Sequence, residues 1–399
     1  MGFVQPLRFE EARKTVLSAV RGAGFVPAAE LVPLGLADGR VLANEVHSDR
    51  PYPPLPRSLR DGFAVRAAEF PGRVRVVGEV RAGQVYGRAL QPGEAVEIMT
   101  GAPVPEGADA VIMVEHGAVS EDGLLTTERP VASGDFVVSA GAECKEGELA
   151  FQAGVRLDYG HVGALATIGI REVPVFRQPT VSIIATGDEI VPIDERPAAH
   201  QIRNSNSHTL AAQVKRAGGA ARVMPVAPDN AGATRDIIED ALTSDLLLLS
   251  GGVSAGKYDL VEGALAELGA EFFFDRVLIQ PGQPLVFGRV REKFFFGLPG
   301  NPVSTMVTFE LFARAALDLL AGCCSSPLPL AYARLLGVFR HRPGLTRFLP
   351  ADLSGGEVRL VPWQSSGDVF GLARANAFLV AREDRESWDK GEFIEVLPR

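Results

Sequence analysis

The sequence predicts a multidomain protein: a parallel α/β domain, β-rich or mixed domains before it, and a small β-barrel or sandwich after it. Three observations predict this. The chain has 399 residues, more than one ordinary core accommodates, so two to four domains are expected. From 180 to about 322 the pattern runs strand, loop, helix, with apolar strands that do not alternate, as in a sheet covered on both faces. On either side, short β-like runs lie between Gly- and Pro-rich turns. With 46% hydrophobic and 22% charged residues the chain is globular and not disordered. Its formal charge of −9 argues against general nucleic-acid binding, which needs clustered Lys and Arg, so any anion must be held locally.

Residues 8–22 read as one amphipathic helix, with Ala12, Val16, Leu17 and Val20 at helical spacing. From about 30 to 175, VRVVGEV, AVEIM and AVIMVE read as short strands between irregular excursions. TVSIIAT then opens the α/β segment as a strand. SNSHTLAAQVKRAGG follows as a helix that residues 204–207 can cap and Gly218 stops. ARVMPVA, DLLLLS and EKFFFGL read as further strands; ATRDIIEDAL, YDLVEGALAELG and NPVSTMVTFELFARAALDLL read as helices. The last segment, about 327–399, returns to strand-like runs such as YARLLGVF, EVRLVPW and EFIEVLP. The N-terminus, with acids and arginines inside its apolar stretch, does not read as a signal peptide, and apolar runs such as 245–249 are too short to span a bilayer. Three cysteines without disulfide or metal spacing fit a reducing cytoplasm. Six scattered histidines argue against zinc and against a Ser-His-Asp triad.

Ligands of open α/β sheets bind beyond the carboxyl ends of the strands, where four loops are expected here. They are Thr186-Gly187-Asp188-Glu189, Asp229-Asn230, residues 250–259, and Leu298-Pro299-Gly300-Asn301-Pro302. From Gly251 to Lys257 the third loop has P-loop spacing, but Tyr258 stands where a metal-ligating Ser or Thr is required. A different anion site fits better. Gly251 and Gly252 let the backbone approach a bound group, Ser254 adds a hydroxyl, and Asp259 lies in the first turn of a helix. Asp259 alone reads equally well as an N-terminal helix charge. Glu189 and Asp229 share that ambiguity. Carboxylates around an anionic substrate would repel it without a divalent cation, so the acid-rich loops imply magnesium, or acids that activate water. The fourth loop starts a long helix whose free N–H groups favour an anion. In the β-rich half, RSLRDGFAV buries Asp61 in a tight turn, as a site or as a turn residue, and IMTGAPVPEGADAV places Thr100 where a strand meets a polar turn.

MTGAPVPEGADAVI, ATGDEI, SGGVSAGKYD, PGQP and GLPGNPVS, in this order, resemble the MoeA family of molybdopterin molybdenumtransferases, related to the E domain of gephyrin. The resemblance runs from the N-terminal helix to QSSGD at 364–368. It implies a four-part homodimeric protomer with a parallel α/β molybdopterin-binding domain, two inserted β-rich or mixed domains and a C-terminal β-barrel. The implied boundaries are 1–26 for a helix packing with the α/β domain, 27–45 with 147–178 for a linking mixed domain, 46–146 for the inserted β-rich domain, 179–326 for the α/β domain and 327–399 for the barrel. The implied reaction inserts molybdate into adenylylated molybdopterin and releases AMP, with Mg2+ or a similar divalent cation. In relatives the site lies where the α/β domain of one subunit faces the inserted domain of the other.

Carried over by motif, Asp61, Glu143, Glu189, Asp229 and Asp259 are the implied catalytic acids, with Asp229 and Asp259 as metal ligands. Substrate contacts are expected from Thr100, Thr186, Gly187, Asp188, Gly251, Gly252 and Ser254, and from Gln280, Gln283, Pro299, Pro302 and Ser366. The departures are specific. Gln280 and Gln283 stand where the family usually has lysines, Glu143 where it has Asp, and Pro350 where an arginine is expected, with Arg347 close by. Arg57 and Arg60 fall where Asn and Met are common, and could return charge to the site. The lost lysines leave a second reading, a non-catalytic molybdopterin-binding or scaffolding paralogue. An ATP-dependent adenylyltransferase is disfavoured by the extra β domains. Small-molecule substrates, transient contact with other molybdenum-cofactor biosynthesis or acceptor proteins, no nucleic acid and no membrane complete the expectation.

Overall fold

The computed structural model describes residues 5–251 and 260–399. The chain forms two compact units: one holds the residues through Ala43, Gly154–Val162 and Glu172–Arg399, the other Asn44–Ala153 and Gly163–Arg171.

The first unit is built on a six-stranded sheet. Its strands are β1 (Thr180–Ala185), β2 (Ala220–Val223), β3 (Leu246–Ser250), β4 (Glu271–Arg276), β5 (Pro284–Val290) and β6 (Lys293–Leu298). They lie in the order β2-β1-β3-β6-β5-β4. The first four are parallel, β5 runs antiparallel to β6, and β4, antiparallel to β5, returns to the direction of the first four. Alternate side chains along β1 and β3 enter different cores: Val181, Ile183, Leu246 and Leu248 one, Ile184, Leu247 and Leu249 the other. Burial on both faces is why these strands read as unbroken apolar runs. The antiparallel pairings of β5 were not apparent in the sequence. Its hairpin turns through Arg291 and Glu292 at φ 43° and 66°, a left-handed pair that glycine or asparagine would normally signal.

Helices α1 (Phe9–Gly22), α2 (Ser205–Arg216), α3 (Ala231–Ala241) and α4 (Leu260–Glu267) belong to this unit. A longer run, 302–320, is helical throughout but loosens to a π-helix at Phe309–Ala313. Helix α1 buries Phe9, Ala12, Val16 and Val20 against the core that includes Phe309 and Phe312. Arg13 is buried on the same face. It donates through Nη1 to the Leu311 carbonyl at 2.5 Å and through Nη2 to the Ser326 carbonyl, so its charge is enclosed but hydrogen-bonded. At the amino end of β3, Asp245 is held by Arg177 in a two-pronged ion pair of 2.7 and 2.9 Å. The Thr180 N–H and hydroxyl add 2.8 and 3.0 Å hydrogen bonds to the same carboxylate.

Past residue 330 the strands close into a five-stranded barrel. Thr346–Ser354, Glu357–Leu360, Ala331–Leu335, Phe393–Pro398 and Ala377–Ala381 pair in sequence, and the last returns to the first. Closure removes exposed strand edges, and Leu335, Leu349, Val358, Leu379 and Ile394 fill the interior. The short strand Ile279–Gln280 adds to the barrel strand Thr346–Ser354, placing Gln280 beside Arg347.

The second unit centres on a mixed six-stranded sheet from Ala110–Met113 through Gly62–Val65, Glu94–Ile98, Val74–Val80 and Leu124–Thr126 to Ala118–Val119. Phe63 and Val65 point into one of its cores and Ala64 into the other. Gly62 is required: a Cβ there would strike the Ile112 carbonyl of the neighbouring strand. Among the described residues, no helix is long and apolar enough to cross a membrane.

Candidate functional site

In the first unit the strand order reverses between β1 and β3, since β2 lies beyond β1 and β6 beyond β3. A ligand crevice is expected at such a switch, outside the carboxyl ends of the strands. A cleft of about 1070 Å³ lies there. Thr186 and Gly187 line it after β1, Gly251 after β3, and Pro299, Gly300 and Pro302 after β6. The turns are tightly nested. Gly251 has φ 91°, and a Cβ on it would sit 3.0 Å from the Thr186 carbonyl oxygen. Gly187 has φ 129°, and the Glu189 carboxylate folds over the space a Cβ would need.

Two turns are pinned by a residue from α2. Asn206 donates from Nδ2 to the Ser250 hydroxyl and to the Gly300 carbonyl, both at 2.8 Å. In the sequence Asn206 reads only as a possible cap; the cap is Asn204, which accepts from the Ser207 N–H at 3.0 Å. Ser366 approaches from the C-terminal segment: its hydroxyl accepts from Asn301 Nδ2 at 2.9 Å, and its carbonyl accepts the Val303 N–H at 2.9 Å. One N–H that the sequence left for an anion at the start of the 302–320 helix is therefore already taken.

The charge balance of the cleft is sparse. Its charged lining groups among the described residues are Glu189, Asp229 and Arg203. Gln280 and Gln283 also line it, and both are neutral and exposed. Asp188 is not in the lining; its Oδ1 accepts the Asp229 N–H at 3.0 Å, fixing the loop that presents Asp229. Arg203 was missed in the sequence because it sits on a two-residue strand without a pattern of its own. Its Nε–H donates to the Glu195 carbonyl at 3.0 Å, which fixes the plane of the guanidinium.

The second unit carries Asp61, Thr100 and Glu143. Asp61 is exposed, not buried in its turn as expected; the buried member of that turn is Gly62, whose closeness to strand Ala110–Met113 pushes the acid outward. One Asp61 oxygen accepts both the N–H of Thr100, at 2.6 Å, and its hydroxyl, at 2.7 Å. These bonds, the backbone one first, hold the Asp61 carboxyl below its ordinary range. Glu143 is exposed, and its N–H donates to the Tyr52 carbonyl at 2.9 Å. Arg57 and Arg60 are exposed in this unit as well. Gly252, Ser254 and Asp259 lie outside the described residues.

Three family models match along the chain: the MoeA N-terminal region (domain I and II) over 7–169, "Probable molybdopterin binding domain" over 182–319, and the MoeA C-terminal region (domain IV) over 332–398. The molybdopterin molybdenumtransferase of Bacillus subtilis is 34% identical over 373 residues, covering 90% of this chain and 87% of that protein. The chain belongs to the molybdopterin molybdenumtransferase (MoeA) family. The family's Nostoc member is 37% identical over 396 residues, covering 92% of this chain and 88% of its own. A solved molybdopterin biosynthesis MoeA protein from Pyrococcus horikoshii superposes with TM-score 0.81 at 29% identity, covering 99% of this chain and 100% of that one. The MoeA-type architecture accounts for the closed C-terminal barrel. The cleft takes its turns from the stretch matched by the molybdopterin-binding model and its 363–366 wall from the C-terminal model.

Magnesium can be tested against the donor set. Among the described residues, no group of three or more His, Cys, Asp or Glu side chains is placed to hold a metal ion. Mg2+ characteristically keeps waters and takes one or two carboxylates plus substrate phosphates. Glu189 and Asp229 in one cleft fit that mode and do not fit a closed protein cage.

Proposed function

We propose that this chain is an enzyme of molybdenum cofactor biosynthesis that inserts molybdate into adenylylated molybdopterin and releases AMP. The carrying observation is the cleft at the β1/β3 switch, in a chain that aligns with molybdopterin molybdenumtransferases over nine-tenths of its length. The site residues assigned from the motifs keep their proposed roles. Thr186, Gly187, Gly251 and the Pro299–Pro302 turn shape the floor on which the pterin phosphate rests. Arg203 supplies the cation that pairs with anionic oxygens, in the forked geometry suited to phosphate and oxyanions. Gln280 and Gln283 offer amide donors in place of charge.

The phosphoanhydride breaks when an oxygen nucleophile adds to phosphorus, and AMP leaves with the bonding pair. Glu189 and Asp229 can orient an attacking water and accept its proton. Mg2+ held by Asp229, with Asp259, would neutralise charge on the phosphate oxygens. Asp61 and Glu143 keep the catalytic roles that the motif match gives them. A cytoplasmic homodimer and transient contacts with acceptor proteins belong to the same proposal.

One experiment tests it: AMP release from adenylylated molybdopterin with molybdate and Mg2+. Molybdate-dependent AMP is expected, abolished by EDTA and reduced at least about a hundredfold in Asp229→Ala. Arg203→Gln should mainly raise KM. AMP release indifferent to Asp229→Ala sinks the assigned site. The neutral Gln280 and Gln283 favour the second reading, a non-catalytic binding paralogue, and pterin binding without AMP release would establish that one.

A further inference from the structure

A second cavity, of about 260 Å³, lies in the first unit. We propose that it binds a small organic phosphate: a dianionic head on a compact apolar body. In a chain of net charge −9, four arginines line this one cavity, Arg13, Arg216, Arg314 and Arg399, against a single acid, Glu310. Such a local reversal of charge is what an anion site requires of an acidic protein.

The four arginines are not equivalent. Arg13 and Arg399 are anchored: Arg13 donates to the Leu311 and Ser326 carbonyls, and Arg399 Nη1 to the carbonyls of Leu372 and Ala375 at 2.6 and 3.0 Å. Arg314 shares Glu310, at 3.1 Å. Arg216, in the last turn of α2, has no ion-pair partner among the described residues. Burial is the chief cause that lowers the basicity of Arg13 and Arg399; Glu10 and Asp318 raise it at Arg13 and Glu310 at Arg399, against further lowering by Arg314 and Arg216 respectively. A dianion among them would relieve that repulsion, and guanidinium forks match phosphate oxygens. Met306, Leu328, Phe378 and Leu397 provide apolar lining in the same cavity, which inorganic phosphate alone would leave uncovered.

The cavity is separate from the cleft although two helices serve both. The cleft uses Asn206 and Ser304, near the starts of α2 and of the 302–320 helix; the cavity uses their later turns, from Thr209 and Met306 onward.

Calorimetric titration with inorganic phosphate and with phenyl phosphate tests the proposal on the full chain. Phenyl phosphate should bind about tenfold or more tighter than phosphate, from burial of its ring. The double variant Arg216→Gln/Arg314→Gln should lose at least about tenfold of that affinity, with an unchanged circular dichroism spectrum. Arg203→Gln, which alters only the cleft, should leave it intact. The proposal is overturned if neither compound binds at millimolar concentration, if the double variant binds phenyl phosphate as the parent does, or if Arg203→Gln abolishes binding and so assigns it to the cleft.

Discussion

Asp61 shows how two donors can prepare an exposed acid. Both Thr100 bonds fall on one oxygen, so the other remains available to a water, a metal or a substrate proton. Replacing Thr100 with Val deletes the hydroxyl donor and keeps the backbone one. The Asp61 carboxyl should then titrate at higher pH than in the parent, closer to the ordinary aspartate value, as followed by carboxyl-carbon NMR. An unchanged midpoint would mean that the hydroxyl donates elsewhere in solution. The motif singled out Asp61 and Thr100 separately, but not as a pair, because 39 residues separate them and only the sheet of the second unit brings them together. Arg203 was illegible for a related reason: a cation counts as a site residue only once the cleft around it exists, and no local periodicity points to it.

At the level of elements, caps and turns decided what could be read. Asn230, placed by the sequence in a site loop, accepts the Ala233 N–H at 3.0 Å and caps α3, which starts two residues before the run that reads as helix. Asn230→Ala should destabilise the protein by about 1 kcal/mol, measured by urea unfolding, since an orphan donor of the first turn loses its acceptor. A change near zero would show that water replaces the cap at no cost. The apolar runs of β1, β3 and β6 and the helices between them were legible because each carries its own period and punctuation. Strand β5 was not, because the hairpin turn that joins it to β6 lacks glycine. The π-helical stretch at Phe309–Ala313 was not either, since an i→i+5 hydrogen bond leaves no residue pattern of its own.

For the molecule as a whole, the Arg177–Asp245 pair links stability to pH. The Asp245 side chain is 5% exposed. Burial alone would raise its pKa, but Arg177 and the Thr180 donors outweigh it and bring the folded value to about 2, from an ordinary 3.8. A depressed folded pKa stabilises above the unfolded one, and the contribution disappears as pH falls from about 4 through 2. It is on the order of 2 kcal/mol at neutral pH. Asp245→Asn should therefore unfold at lower urea than the parent at pH 7, with the gap closing toward pH 2; a gap independent of pH would refute the linkage. Helix α1 carries a consequence for how the chain is made. Arg13 finds its Leu311 partner 298 residues later, so the apolar face of α1 leaves the ribosome long before the core residues that cover it. At about 5–20 residues per second that wait is roughly 15–60 s, during which the nascent chain carries an unshielded Phe9–Val16–Val20 stripe that a chaperone can hold.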